Sequence, residues 1–120
     1  YLEVLDRLSA DPESDLQELN TVASGDALAQ WQFNLSRYRA DGWRQVGQQI
    51  PSFVGSSPGS SAAEWFVTMC IDVSAVDVIG PDGNSVKNPD SASRLASDFR
   101  VEQGPAGDWY VTNDEVTETC

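Results

Sequence analysis

One stretch of the chain constrains its fold more than any other. Residues 64–73, read Glu-Trp-Phe-Val-Thr-Met-Cys-Ile-Asp-Val, form the longest apolar run, and strand-favouring residues dominate it. Because side chains alternate along a strand, this run has two different faces. The wholly apolar face comprises Trp65, Val67, Met69, Ile71 and Val73. The mixed face comprises Phe66, Thr68, Cys70 and Asp72. We expect helices to cover the apolar face, and the mixed face fits a concave or partly wet surface.

Helical spacing dominates the chain before this strand. Residues 1–8 have apolar side chains at helical intervals, and a second helix is predicted to begin at a capping box of Ser14 and Gln17. The clearest helix covers residues 27–40, and Asp41-Gly42 ends it. Its apolar stripe comprises Leu28, Trp31, Leu35 and Tyr38.

Strand patterns dominate the rest of the chain. The predicted strands cover residues 43–54, 62–79, 94–102 and 109–116. Within the first two strands, Gly47 predicts a bulge, Pro51 an edge position or a bend, and Ser74-Ala75 a second bulge. Residues 55–61 are rich in Gly and Ser, which is typical of a mobile hairpin loop.

The order of these elements predicts the fold class. Helices followed by strands that are joined through hairpin-like turns indicate an α+β protein. We expect N-terminal helices packed on a curved four-stranded antiparallel sheet. A chain of 120 residues has the length of a single domain, covering residues 1–120.

Charge and composition exclude several classes of function. The net charge of −12 has the wrong sign for binding nucleic acid or anionic lipid. The chain has no histidine, which removes the commonest general base and the commonest zinc ligand. Its two cysteines are too few for a structural zinc site. We therefore expect no metal and no cofactor.

The two cysteines, Cys70 and Cys120, are either free thiols or partners in a disulfide. In an exported protein they are more often joined. We favour the disulfide, which would close a loop of 50 residues and contribute about 4 kcal/mol in the chain-entropy model.

The sequence also resembles the nuclear transport factor 2-like superfamily, whose fold is also called cystatin-like. The resemblance lies in Leu16–Leu19 with Val22–Gly25, Gly42–Gly47, Val67–Asp72, the Asp82-Gly83 turn and Trp109–Val111. It is closest to small exported versions from actinobacteria, such as periplasm-facing domains of anchored lipoproteins and of conjugation or Mce-associated membrane proteins. It implies a cone-shaped sheet that curls round the helices and can leave a pocket at its wide end.

That superfamily contains enzymes, ligand binders and assembly modules, so the resemblance does not fix a function. Its isomerase-type enzymes use carboxylates with a tyrosine in an apolar cone. The candidates for such a set are Asp72, Asp98, Tyr38 and Tyr110. For Asp72 the simpler interpretation is a strand-end residue in solvent, or one paired with Arg94 or Arg100. No catalytic motif of the superfamily matches this chain, so we assign no catalytic residue.

The aromatic residues suggest where a pocket would lie. Trp31 and Trp65 belong to apolar stripes and are expected in the core, whereas Trp43 and Trp109 lie near strand starts, where a pocket rim would be. The candidate pocket residues are Tyr38, Trp43, Phe66, Asp72 and Trp109.

Our leading functional prediction is a non-catalytic interaction domain of an exported or envelope-anchored bacterial protein. We expect it to bind a protein partner through the open face of the sheet, and a second copy of the chain is one such partner. The first alternative is a small-molecule binder with a pocket between the helix at 27–40 and the sheet. The second is an isomerase- or dehydratase-like enzyme.

The location rests on two features of the sequence. No segment has the length or apolar character of a membrane span or a signal peptide. Helical spacing nevertheless begins at Tyr1, as it would in the soluble part of a longer exported or membrane-anchored chain. We therefore expect an extracytoplasmic domain that reaches a membrane only through an upstream anchor.

Overall fold

The computed structural model describes residues 1–120. Its helices are α1 (Leu2–Ala10), a 3₁₀ helix (Leu16–Thr21) and α2 (Gly25–Asp41). Its strands are β1 (Arg44–Val46), β2 (Ile50–Pro58), β3 (Glu64–Asp72), β4 (Asp77–Ile79), β5 (Arg94–Gln103) and β6 (Trp109–Thr119). Helices precede strands, which confirms the α+β class. No helix has both the length and the apolar character needed to cross a membrane.

The six strands form two sheets, where the sequence predicted four strands in one. The main sheet is antiparallel with the order β2-β3-β5-β6, and β1 and β4 form a separate antiparallel pair. The antiparallel pairing agrees with the predicted α+β class, but the prediction of one four-stranded sheet is not confirmed, because six strands form two sheets. It was wrong for residues 43–54 and 62–79, because each of these predicted strands is divided in two.

The division occurs where the two predicted bulges face each other. β1 pairs with β4 up to Val46 opposite Asp77, and β2 pairs with β3 from Ile50 opposite Asp72. Between these pairs, Gly47 has a φ of +80°, and an added Cβ there would lie 1.9 Å from the carbonyl oxygen of Ala75. The close approach of the two backbones interrupts the ladder.

A buried carboxylate anchors helix α1 beside this interruption. Asp6 Oδ1 accepts hydrogen bonds from the side-chain amides of Gln45 (2.7 Å) and Gln49 (2.9 Å). Asp6 Oδ2 accepts one from the backbone N–H of Gln49 (3.1 Å). Asp6 and Gln45 are both buried, so the carboxylate is satisfied by amides and holds α1 against the divided hairpin.

Two other local predictions were wrong in detail. The second predicted helix is a short 3₁₀ helix, capped by Asp15 accepting from the Gln17 N–H (2.9 Å), while the Ser14 hydroxyl donates to Asp11. The predicted loop at 55–61 is mostly strand, because β2 pairs with β3 as far as Pro58 opposite Trp65. Residues with high strand propensity in β3 pair with β2 and keep it in the ladder, despite the Gly and Ser content of β2.

Helix α2 ends as predicted, at Gly42 with a φ of +71°. Its opposite end is fixed on β6, because the Val111 N–H donates to Val22 (2.9 Å) and the Ser24 N–H donates to Val111 (3.0 Å). Backbone hydrogen bonds therefore place α2 over the β6 side of the sheet.

The core is small and has two parts. A helical cluster joins α1, the 3₁₀ helix and α2, and comprises Leu5, Leu8, Leu19 and Leu35. A second cluster joins α2 to the sheet, and comprises Ala27, Ile71, Phe99 and Val111. We call the sheet face that carries Ile71 and Phe99 the inner face, and the opposite one the outer face.

The predicted disulfide is present between Cys70 and Cys120, whose Cα atoms lie 6.1 Å apart. Cys70 belongs to β3, and Cys120 follows the end of the edge strand β6. The bond therefore reaches across β5 and ties the end of the chain to the middle of the sheet.

Candidate functional site

Helices cover only part of the inner face, which differs from the complete cover expected for the apolar face of residues 64–73. Ile71 is buried under them, but Val67 and Met69 are only half-buried and Trp65 is 39 % exposed. Cross-strand pairing places Phe53 beside Met69 and Val101 beside Trp65. We define the free inner face as the six residues of this surface that the helices leave uncovered: Phe53, Trp65, Val67, Met69, Val101 and, at the same end of β6, Trp109. All six are apolar or aromatic, so this part of the surface carries no charge.

A cleft of about 490 Å³ lies between this surface and the start of α1. Tyr1 and Leu2 form one wall, and Val67, Met69 and Val101 form the other. Tyr1 packs edge-to-face on Phe99 at the base of the cleft, with ring centroids 6.0 Å apart. The cleft is open and mostly apolar, which suits contact with another apolar surface.

A second cavity of about 220 Å³ lies deeper, between the helices and the sheet. Apolar side chains of α1, α2 and the sheet line it, together with the polar residues Gln30, Gln49, Ser97 and Asp114. The Asp114 carboxylate accepts a hydrogen bond from the Tyr1 hydroxyl (2.7 Å) and one from the Trp31 indole N–H (3.2 Å). Burial raises the pKa of the Tyr1 hydroxyl, and the bond to Asp114 raises it further.

Asp114 is the acidic residue of this cavity, and the sequence pattern did not predict its position there. Simple alternation from Val111 would place Asp114 on the outer face. The register shifts between Arg100 and Val101, where Thr112 is the additional residue of β6, and this shift turns Asp114 to the inner face. The bulge gives no sequence signal, because Thr112 is an ordinary strand residue.

The five candidate pocket residues do not meet in one cavity. Tyr38 and Trp43 pack edge-to-face at the end of α2, with ring centroids 5.8 Å apart. Phe66 pairs with Arg100 on the outer face, whereas Trp109 lies on the inner face. Asp72 lies at the end of β3. The cleft and the deeper cavity are lined by other residues.

The carboxylates considered for catalysis lie on the outer face. Asp72 Oδ1 accepts from the Ser74 N–H (2.9 Å), and hydrogen bonds from Ser74, with a smaller contribution from Arg94, lower the pKa of Asp72. Asp98 accepts from the Thr68 hydroxyl (2.7 Å) and lies opposite Glu115. Tyr38 lies in α2, and Tyr110 pairs with Glu102, four residues along β5 from Asp98, so these four residues do not assemble into one site.

The outer face also carries an ion pair between Glu64 and Arg100. Glu64 accepts from the Ser60 N–H (2.9 Å), and its other oxygen binds the Nε (2.8 Å) and Nη2 atoms of Arg100. The Ser60 backbone N–H and the Arg100 guanidinium lower the pKa of Glu64. The outer face is thus charged, in contrast to the free inner face.

No protein-family model and no curated protein sequence matches the chain. Among solved structures, the chain is similar to the crystal structure of the intermembrane space region of the chloroplast protein ARC6, with a TM-score of 0.77 and 13 % sequence identity. The likeness covers 99 % of this chain and 89 % of that one. At this identity it shows that the two chains share a fold.

Proposed function

We propose that the chain is a non-catalytic interaction domain that works outside the cytoplasm and binds protein through its free inner face. The observation that carries the proposal is the uncovered apolar surface on β2, β3 and β5. In an α+β fold a helix normally buries such a surface, yet α2 lies over β6. Contiguous exposed apolar surface of this kind marks interaction sites on soluble proteins.

The distribution of charge on the protein also supports the free inner face as the binding surface. The chain has a net charge of −12, so two acidic surfaces of this protein repel each other. The free inner face is uncharged, and it is the part of the molecule where a second copy or another protein could pack without that repulsion.

Two observations support an extracytoplasmic location. Disulfides such as Cys70–Cys120 form and persist mainly in oxidising compartments. The same fold serves a region of ARC6 that lies in the intermembrane space of the chloroplast. Export from a bacterial cell and attachment to its envelope belong to this proposal.

We also propose membership of the nuclear transport factor 2-like superfamily, with a cone-shaped main sheet. Helices that precede an antiparallel sheet and pack on its inner face support it. So do register shifts at Phe53/Gly55, Ala96/Ser97 and Arg100/Val101, because bulges bend strands and increase their twist.

The experiment is sedimentation velocity over a wide concentration range, with a matched pair of variants. Phe53→Ser removes an aromatic side chain, 66 % exposed, from the free inner face. Phe33→Ser removes a similarly exposed one, 63 %, from α2. We expect the wild-type chain to self-associate, Phe53→Ser to weaken that association and Phe33→Ser to leave it unchanged. Association that both variants weaken equally contradicts the assignment of the surface, and a wild-type chain that stays monomeric contradicts the second copy as partner.

A small-molecule site is the second candidate, and the deeper cavity favours it. Trp31 lines that cavity but does not fill it, and Tyr38 and Phe66 lie outside it. Its volume of about 220 Å³ is below the roughly 300–1,000 Å³ of most ligand pockets. Only a compact ligand would fit there, so this function ranks second.

A further inference from the structure

The last residues of β6 are held in an unfavourable electrostatic position. β6 is an edge strand, and Glu115 lies directly opposite Asp98 of β5. Like charges at directly opposed positions destabilise a strand pair. The register also shifts between Ala96 and Ser97, which disrupts the ladder at the same end. Pairing with β5 alone therefore holds this segment weakly.

The disulfide compensates for this weakness. The Cys120 N–H donates to the Arg94 carbonyl (3.3 Å), and the Cys120 sulfur is bonded to Cys70 across β5. The bond fixes the end of β6 over β5 and opposes the repulsion between Asp98 and Glu115.

The two sulfur atoms differ in environment. Cys120 is exposed, so an external thiolate can approach it, whereas Cys70 is buried at 6 % exposure. The Arg94 Nη2 atom lies 3.3 Å from the Cys70 sulfur. A cation at that position stabilises a thiolate, and a more stable thiolate is a better leaving group in thiol–disulfide exchange.

We propose that Cys70–Cys120 is a redox-sensitive clasp, whose reduction by a dithiol releases residues 115–120 from β5 while the rest of the sheet stays folded. A thiolate of the dithiol attacks the Cys120 sulfur. The Cys70–Cys120 bond breaks, and Cys70 leaves as a thiolate beside Arg94. The dithiol is now joined to Cys120 in a mixed disulfide. Its second thiolate attacks the dithiol sulfur of that mixed disulfide, and Cys120 leaves as a thiolate. The dithiol is oxidised to a disulfide and the protein is reduced to two thiols.

Release of this segment would change the deeper cavity. Val116 and Asp114 of β6 form part of its wall, and Leu95 of β5 lies beside them. Once residues 115–120 leave β5, the cavity loses Val116 from its wall and the edge of β5 becomes free to pair. The redox state of one bond thus changes the lining of this cavity.

The test is hydrogen exchange of the whole chain, oxidised and after reduction with dithiothreitol. We expect amides of residues 115–119 to exchange at least about tenfold faster after reduction, with residues 64–72 keeping their protection. Unchanged exchange at 115–119 overturns the proposal, and so does loss of protection throughout the sheet, since that is global unfolding.

A matched pair of variants isolates the charge repulsion in the reduced protein. Asp98→Asn removes the charge opposite Glu115, and Asp90→Asn removes an equal charge from a remote exposed turn. We expect Asp98→Asn to restore several-fold protection at 115–119 and Asp90→Asn to restore none. Equal behaviour of the two variants contradicts the electrostatic part of the mechanism.

The role of Arg94 is measured as a rate. Arg94→Gln should slow reduction by dithiothreitol several-fold, because the Cys70 thiolate loses its cation. Arg37→Gln, at an exposed position on α2, should reduce at the wild-type rate. A wild-type rate for Arg94→Gln contradicts the leaving-group assignment.

Discussion

At the scale of single residues, the absence of a Cβ atom at Gly47 allows the backbone contact that separates the two sheets. Its φ of +80° favours glycine, and the Ala75 carbonyl oxygen occupies the place where a Cβ would lie. Gly83 has nearly the same φ, +83°, but nothing lies within 4 Å of an added Cβ. A side chain at Gly83 would therefore meet only backbone strain, whereas one at Gly47 would meet both backbone strain and a steric clash.

We predict that Gly83→Ala lowers the free energy of unfolding by about 1 kcal/mol, through the left-handed conformation alone. Gly47→Ala should cost about 1–3 kcal/mol more, because the new methyl group meets backbone that cannot move without changing the sheet. Urea denaturation of both variants measures the difference. Equal losses would show that the close approach of the two backbones does not restrict the site.

Glu64 illustrates a charge whose contribution depends on pH. Its pKa in the folded chain is lowered from the ordinary value of 4.5 by Ser60 and Arg100. A group with a depressed folded pKa binds protons more readily in the unfolded chain. Its contribution to stability is therefore fully present above pH 4.5 and is lost as the pH falls below that value.

We predict that the wild-type chain loses more stability than Glu64→Gln when the pH is lowered from 5 to about 3. The glutamine variant lacks the titrating group, so this part of the pH dependence disappears. Urea midpoints measured across that range test the prediction. Glu13→Gln, at an exposed position whose carboxylate forms no ion pair, is the control and should follow the wild-type profile.

At the scale of elements, local sequence patterns predicted the positions of strands and bulges better than they predicted which strands pair. The bulges at Gly47 and at Ser74-Ala75 were both predicted, and both are breaks in the ladder. Nothing in either local pattern shows that the two breaks face each other, because that depends on the register between distant segments. This is why two predicted strands became β1 to β4.

The orientation of Asp114 in the deeper cavity could not be predicted from a local pattern either. The sequence places it in a strand, but its face depends on the additional residue, Thr112, in β6. The disulfide could be predicted because it needs only two cysteines and an oxidising compartment. The cavity needs the bulge, α1 and α2 together, and no single segment encodes it.

We predict that Asp114→Ala lowers the free energy of unfolding by about 1–2 kcal/mol, because the Tyr1 hydroxyl and the Trp31 indole N–H lose their acceptor in a partly buried place. Glu115→Ala, one residue further on and facing outward, should be neutral or slightly stabilising, since it removes the repulsion with Asp98. Thermal unfolding followed through tryptophan fluorescence compares the two. A loss at Glu115 that equals the loss at Asp114 would contradict the inward orientation.

At the scale of the whole molecule, the chain is thin. Its shortest dimension is 17 Å, which corresponds to one layer of helices on one sheet. Only 17 of the 120 residues are buried, so the hydrophobic core is small and much of the apolar inner face stays near the surface. The proposed interaction depends on the incomplete cover of that face.

The chain has a single methionine, Met69, and it lies on the free inner face. A chain labelled with ¹³C at the methionine methyl group therefore gives one NMR signal from the surface in question. We predict that a soluble paramagnetic reagent broadens this signal strongly in dilute protein, and that the broadening falls as the protein concentration rises and a second copy covers the face. A methyl signal that the reagent leaves sharp even in dilute protein would show that the chain covers this face itself, and the proposed interaction surface would not exist.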